Sequence, residues 1–336
     1  MALPGRIPIS RGKGNYYLGV AVFVLVVIGM TSTLYYATQK IDYVWRWYQI
    51  PQYFVYHDQV EIRAEIDGEV DRIERKGETT SVVVSGSYGT EAYEMPASSV
   101  QVEEGNVIYP GDILGTYGQW KVGILIQGLW LTLKVSAISI VFGIIIGLFG
   151  GLFRISDNPA LKWTAVTYIE LIRGSPLLVQ IFIWYFVLGT LINTLMAKAG
   201  VTQIPPLWFG VAALATFTGA YVAEMVRAGI QSIHRGQTEA SRSLGMNYFQ
   251  SMRHVILPQA LRRIIPPLAG QFISLIKDSS LLGIIAIREL TKATREVVTT
   301  SLQPFELWFI CALLYLILTF SLSMLLQYVE RRTLAQ

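Results

Sequence analysis

Six long apolar stretches divide the chain, at about 17–37, 122–153, 162–191, 207–228, 264–287 and 307–327. Each is long enough for an α-helix to cross a hydrocarbon core of about 30 Å, which takes about 20 residues. The pattern therefore predicts six transmembrane helices. The third stretch is broken by Arg173-Gly174-Ser175-Pro176. Between the first and second, the period changes. Val60, Ile62, Ala64 and Ile66 alternate with Glu61, Arg63, Glu65 and Asp67, as in a strand with one wet face. Shorter strands are expected at about 69–73 and 81–85. Turn signals follow at Asp67-Gly68, Lys76-Gly77, Glu104-Gly105 and Tyr109-Pro110-Gly111.

The expected division is thus 1–39 (a short N-terminus and first helix), 40–120 (a small β unit with strands over about 50–118) and 121–336 (a five-helix core). The β unit resembles a biotinyl or lipoyl carrier domain in outline, as a small barrel or sandwich hybrid. No lysine stands in the hairpin such a carrier needs, so covalent modification is not expected. The first stretch is too long for a signal-peptide core and ends in Leu34-Tyr35-Tyr36, an interfacial anchor. It reads as an uncleaved helix.

Charge orients these pieces. Of 336 residues, 52% are hydrophobic and 15% charged. Residues 40–120 hold 14 acidic and 6 basic side chains, whereas the remainder is strongly basic. The basic residues flank apolar spans at Arg154, Lys162, Arg227, Arg235, Arg242, Arg253, Arg262, Arg263, Arg331 and Arg332. By the positive-inside rule they lie in the cytoplasm, with both termini, and the acidic β unit lies outside. This division argues for two compartments, not a nucleic-acid partner. Cys311 stands alone, and the three histidines are scattered, so no metal site is expected.

Several residues carry the expected mechanics. Ser139, Gly143, Gly147 and Gly151 recur every four residues and offer one helix face to a close neighbour. Residues 236–258 form a basic, glycine-punctuated loop between two spans. Within it, Ala240 and Ser241 are small enough for a short helix at about 237–244 to sink into a partner's groove. Gly245 permits a sharp turn, and Pro258 is expected to stop the second helical piece. At the break in the third stretch, Ser175 is a suitable N-cap ahead of Pro176, so a half-helix could start there, about 20 Å into the membrane counting from Lys162, and favour a carboxylate. The alternative is a proline kink with Arg173 paired to Glu170. Glu224, beside Arg227, and Lys277 and Asp278 are further charges in or near spans, where charges usually face a cavity or partner. Neither a phosphate-cradling G-x-x-x-x-G-K-[ST] loop nor a nucleophile–base constellation occurs, so the chain is not expected to be an enzyme.

These segments resemble a known family. Gly236, Glu239-Ala240-Ser241, Gly245 and Leu257-Pro258 are similar to the EAA loop of ATP-binding-cassette (ABC) importer permeases, with serine at the second alanine position. Residues 168–180 (YIELIRGSPLLVQ), 220–224 (AYVAE), 227–230 (RAGI) and 275–282 (LIKDSSLL) resemble the permeases for polar amino acids. The likeness covers about 121–332. It implies an all-α membrane protein with one extra N-terminal helix, a five-helix type I importer core and an inserted extracytoplasmic β domain. It also implies a place in the bacterial cytoplasmic (inner) membrane. The implied partners are a second permease subunit, two ATPase subunits that use ATP and Mg, and an external amino-acid-binding protein. This chain itself is expected to bind no cofactor. A membrane scaffold or sensor using the β domain is the alternative, as is a permease for another small zwitterion.

Overall fold

The computed structural model describes residues 13–87 and 89–334. It divides into two compact units, 1–47 and 48–336.

In the first unit, α1 (Lys13–Lys40) extends beyond the expected 17–37. Its apolar side chains are exposed throughout, as suits a helix whose solvent is lipid. Thr31 and Thr33 donate their hydroxyls to Val27 and Gly29 carbonyls (3.0 and 2.7 Å), which satisfies them without water. Beyond the helix, the Trp45 indole donates to Thr38 Oγ1, and the Trp45 and Trp47 rings stack.

The second unit begins with a 3₁₀ turn and, among the described residues, six strands: β1 (Val55–Arg63), β2 (Gly68–Lys76), β3 (Thr79–Gly86), β4 (Gly89–Pro96), β5 (Val107–Ile108) and β6 (Ile113–Val122). β1 and β6 form an antiparallel ribbon, and β4-β3-β2-β5 form a four-stranded antiparallel sheet. The alternation seen at 60–67 persists in burial, with Ala64 inside and Glu65 and Asp67 outside, although β1 itself ends at Arg63. A bulge at Ile62/Arg63 separates the ribbon from that continuation. Val70, Val82, Val84, Met95, Ile108 and Leu114 fill the core. Two expected edges of the β unit differ. Its last strand runs to Val122, and its first residues pack on helices rather than strands. Ile50, Tyr53 and Phe54 wedge against Val297, Val298, Leu307 and Ile310.

The helices of this unit are α2 (Ile124–Arg154), α3 (Pro159–Arg173), α4 (Leu177–Phe182), α5 (Thr190–Lys198), α6 (Pro206–Gln231), α7 (Arg235–Ser243), α8 (Tyr248–Ser251), α9 (Leu257–Asp278), α10 (Leu290–Ser301) and α11 (Pro304–Leu334). A π-helical segment, Ile183–Gly189, joins α4 to α5; another, Met252–Ile256, joins α8 to α9. Among the described residues, six helical stretches are long and apolar enough to span a membrane: Tyr16–Lys40, Ile124–Arg154, Leu177–Lys198, Pro206–Gln231, Tyr248–Ile285 and Pro304–Tyr328.

α6 packs along α2 at the small-residue stripe. A Cβ at Gly143 would meet Thr218 at 2.9 Å, at Gly147 would meet Val222 at 2.4 Å, and at Gly151 would meet Val226 at 2.7 Å. Ser139 is buried at the same face, its hydroxyl 3.5 Å from the Val211 carbonyl. Partners rise with number on both helices, so the two run parallel.

Two features depart from the expected pattern. The stretch 162–191 is not one span: α3 ends at Arg173, and the apolar span begins at Leu177. α10, which caps the core between α9 and α11, was hidden between two stretches. Its buried Leu290, Ala293, Thr294 and Val297 follow a helical period.

Candidate coupling and translocation sites

The loop 236–258 folds as two short helices. His234 caps α7, its Nδ1 accepting from the Gly236 N–H at 3.1 Å. Gly245 then turns with φ of +78°, a left-handed conformation that strains other residues. Asn247 and Gln250 form a reciprocal capping box at the start of α8. Ser241 differs from its expected role on a partner-facing surface. It is 2% exposed, and its hydroxyl lies 2.5 Å from that of buried Ser251, locking α7 to α8. Ala240 and Glu239 are exposed, as are Leu244 (78%), Tyr248 and Phe249 (69%). Pro258 does not stop a helix; it lies in the first turn of α9, directly after the π-helical segment Met252–Ile256. Leu257 precedes it, half-buried.

A second constellation joins α2, α3 and α6. Arg154, the last residue of α2, reaches Glu170 (3.0 Å) and Glu224 (3.2 Å), and Glu224 also binds Arg227. Glu170 is therefore not the partner of Arg173. The Arg173 guanidinium stands over the Tyr221 ring, 5.5 Å from its centre, a cation–π contact. The expected depth of this site changes too. Glu170 is tied to the end of α2, and Ser175 lies five residues further, about 8 Å by helical rise. Nor does Ser175 cap the next helix, because Pro176 is the N-cap of α4. The Ser175 hydroxyl donates back to the Leu171 carbonyl at 2.9 Å. Buried Gln180 staples the break, donating to the Ile172 carbonyl (2.7 Å) and to Ser175 Oγ (2.9 Å).

Lys277 and Asp278 end α9. Lys277 is exposed and lines an open cavity of about 420 Å³ with Ser280, Thr291, Trp308, Cys311 and Tyr315. Asp278 is half-buried and does not line it. Sequence reasoning missed Glu289 behind this cavity. Fully buried, it caps α10 by accepting from the Thr291 and Lys292 N–H groups (2.7 and 2.8 Å) and from the Tyr315 hydroxyl (3.0 Å). Burial pushes its carboxyl above the ordinary range, against the opposing pull of those two N–H groups. Glutamate is an uncommon cap, which hid the signal. Arg154 and Tyr221 were also missed as partners, since nothing local links them to Glu170 or Arg173. Among the described residues, no group of three or more His, Cys, Asp or Glu could hold a metal.

Residues 139–335 match the family described as the binding-protein-dependent transport system inner membrane component. The glutamine transport system permease protein GlnP of Escherichia coli (strain K12) is 38% identical over 211 residues, covering 63% of this chain and 93% of that protein. The probable glutamine ABC transporter permease protein GlnM of Bacillus subtilis (strain 168) is 39% identical over 206 residues, covering 61% and 91%. A crystal structure of an amino acid ABC transporter with histidines aligns with a TM-score of 0.55 at 39% identity, over 62% of this chain and 94% of that one. An inward-facing MetNI methionine ABC transporter shares the fold at a TM-score of 0.51 and 23% identity, over 62% and 96%. With its apolar spans and the packing just described, the chain belongs to the binding-protein-dependent transport system inner membrane component family, as a multi-pass ABC permease of the type I fold.

Proposed function

We propose that this chain is the permeation subunit of an ATP-driven amino-acid uptake system. It pairs with a second permease subunit, receives solute from an external binding protein and is driven by two ATPase subunits, which hydrolyse ATP with Mg. The proposed site is the bacterial cytoplasmic membrane, with both termini inside and residues about 40–120 outside. The observation that carries this reading is the α7–α8 unit. It is rigid within, through the Ser241–Ser251 contact and the capping box, yet it presents Ala240, Leu244, Tyr248 and Phe249 outward. A stiff unit with an open apolar face suits transmission of movement from an ATPase.

The cavity beside Lys277 is the best-suited place for solute contact. Its ammonium suits an α-carboxylate, Ser280 and Thr291 offer hydroxyls, and Trp308 an apolar wall. Asp278 borders this path. Glu170, Arg173, Ser175, Pro176 and Glu224 form a separate gate at the other end of α2, held by Arg154 and Tyr221 rather than by one another alone. The test is uptake of labelled glutamine, arginine and cystine into vesicles holding the cognate ATPase and ATP. ATP-dependent accumulation of at least one, lost in Lys277→Met, supports the reading. Accumulation of none, or uptake indifferent to ATP, overturns it.

A further inference from the structure

The β1–β6 ribbon has two unlike faces. Cross-strand pairs Val55↔Val122 and His57↔Trp120 place four side chains on one face, because paired residues and alternate residues share a side of a sheet. Trp120 is 70% exposed, Val122 and Val55 about half. The His57 ring stands edge-on to the Trp120 indole at 5.2 Å and lies over Gly118, where a Cβ would meet it at 2.0 Å. The opposite face carries the ion pair Lys121–Asp58 at 2.7 Å, which holds the Lys121 ammonium above its ordinary range, together with Tyr56 and Gln119.

Chain continuity fixes how far the ribbon lies from the span. Val122 is two residues from Ile124, the first residue of a candidate span, and Gly123 leaves no slack. Its N–H donates to the Phe54 carbonyl at 2.6 Å, and a Cβ there would meet the Tyr53 carbonyl at 2.2 Å. The Val55–Val122 pair therefore lies about 7 Å, and Trp120 about 13 Å, along the strand from the start of the span. The interfacial layer on each side of a bilayer is about 5–8 Å thick. An indole that leans back along the strand would enter that layer, where tryptophan is favoured.

We infer that the Val55/His57/Trp120/Val122 face of the ribbon rests in the interfacial layer of the bilayer surface from which α2 departs, with lipid as its partner. The wedge of Ile50, Tyr53 and Phe54 against α10 and α11 is one fastening of the β domain. The lipid contact is a second, on a different side, and together they fix the domain's tilt.

The test uses full-length protein in phosphatidylcholine vesicles. A bimane fluorophore is placed in turn at Trp120→Cys, Val122→Cys and, on the charged face, Gln119→Cys. Brominated lipid is expected to lower emission at 120 and 122 by roughly half, with iodide having little effect there and the reverse at 119. Strong iodide quenching at 120 and 122 overturns the inference, as does protection from both quenchers. Protection appearing only when a binding protein is added assigns the face to that protein instead, and also overturns it. The native tryptophan supplies an independent readout. Trp120→Phe should remove a component of emission that brominated lipid quenches, and an unchanged quenched component contradicts the assignment.

Discussion

Small residues serve opposite ends in two regions of this molecule. Along α2, Gly143, Gly147 and Gly151 bring α6 so close that a single added carbon meets it at 2.4–2.9 Å. In the loop 236–258, Ala240 is exposed and Gly245 has nothing within 4 Å of a built Cβ. The first contact is complete within this chain. The second has a shaped face and no occupant among the described residues. Composition alone does not separate them, since both read as small residues beside helices. What separates them is whether the same chain supplies the neighbour.

That contrast predicts opposite responses to added bulk. The largest effect is expected at the closed contact. Gly147→Leu forces several carbons into Val222, and overpacking of this kind costs about 1–3 kcal/mol or more. The subunit should be lost from the membrane fraction, as read by immunoblot. Normal amounts of folded protein would mean that α2 and α6 separate easily.

At the cap of α10, Glu289→Ala removes an acceptor shared by two backbone N–H groups and the Tyr315 hydroxyl. A lost cap costs about 1–2 kcal/mol, so the melting temperature in detergent should fall by several degrees. The raised carboxyl also sets a pH dependence. A group that is more easily protonated folded than unfolded stabilises fully below its ordinary range, and that contribution fades as pH rises through its folded value. Glu289→Gln should therefore flatten the decline in stability on the alkaline side of the ordinary carboxylate range. An unchanged profile would place the titration elsewhere.

A smaller effect should separate the two arginines of the gate. Because Glu170 binds Arg154 and Arg173 stands over Tyr221, Glu170→Gln should not rescue the uptake lost in Arg173→Gln, and the two changes should add. Rescue by the double variant would restore the simple pairing of Glu170 with Arg173.

The architecture was legible where periodicity is long or strict. Six apolar spans and the alternation at 60–67 stand out from the residues themselves, and so does the small-residue stripe. The break at Arg173–Pro176 was visible, but its consequence was not. Proline announces that a helix ends without saying whether the pieces are collinear, so α3 was merged with the span that follows it. α10 escaped because its period occupies only 12 residues and begins with an unusual cap. In the loop, size was read correctly as a constraint, but not its direction: Ser241 turns inward to Ser251, ten residues away, and only the fold decides that. The ties of Arg154 to Glu170 and of Arg173 to Tyr221 span 16 and 48 residues and leave no local trace.

Ala240→Trp tests the central claim most directly. The variant, reconstituted with its ATPase and binding protein, is assayed for the amount assembled in the membrane and for ATP hydrolysis stimulated by solute. The exposed position predicts normal assembly of this chain in the membrane with stimulation abolished. Normal assembly with full stimulation would contradict the assignment of residues 236–258 as the coupling surface.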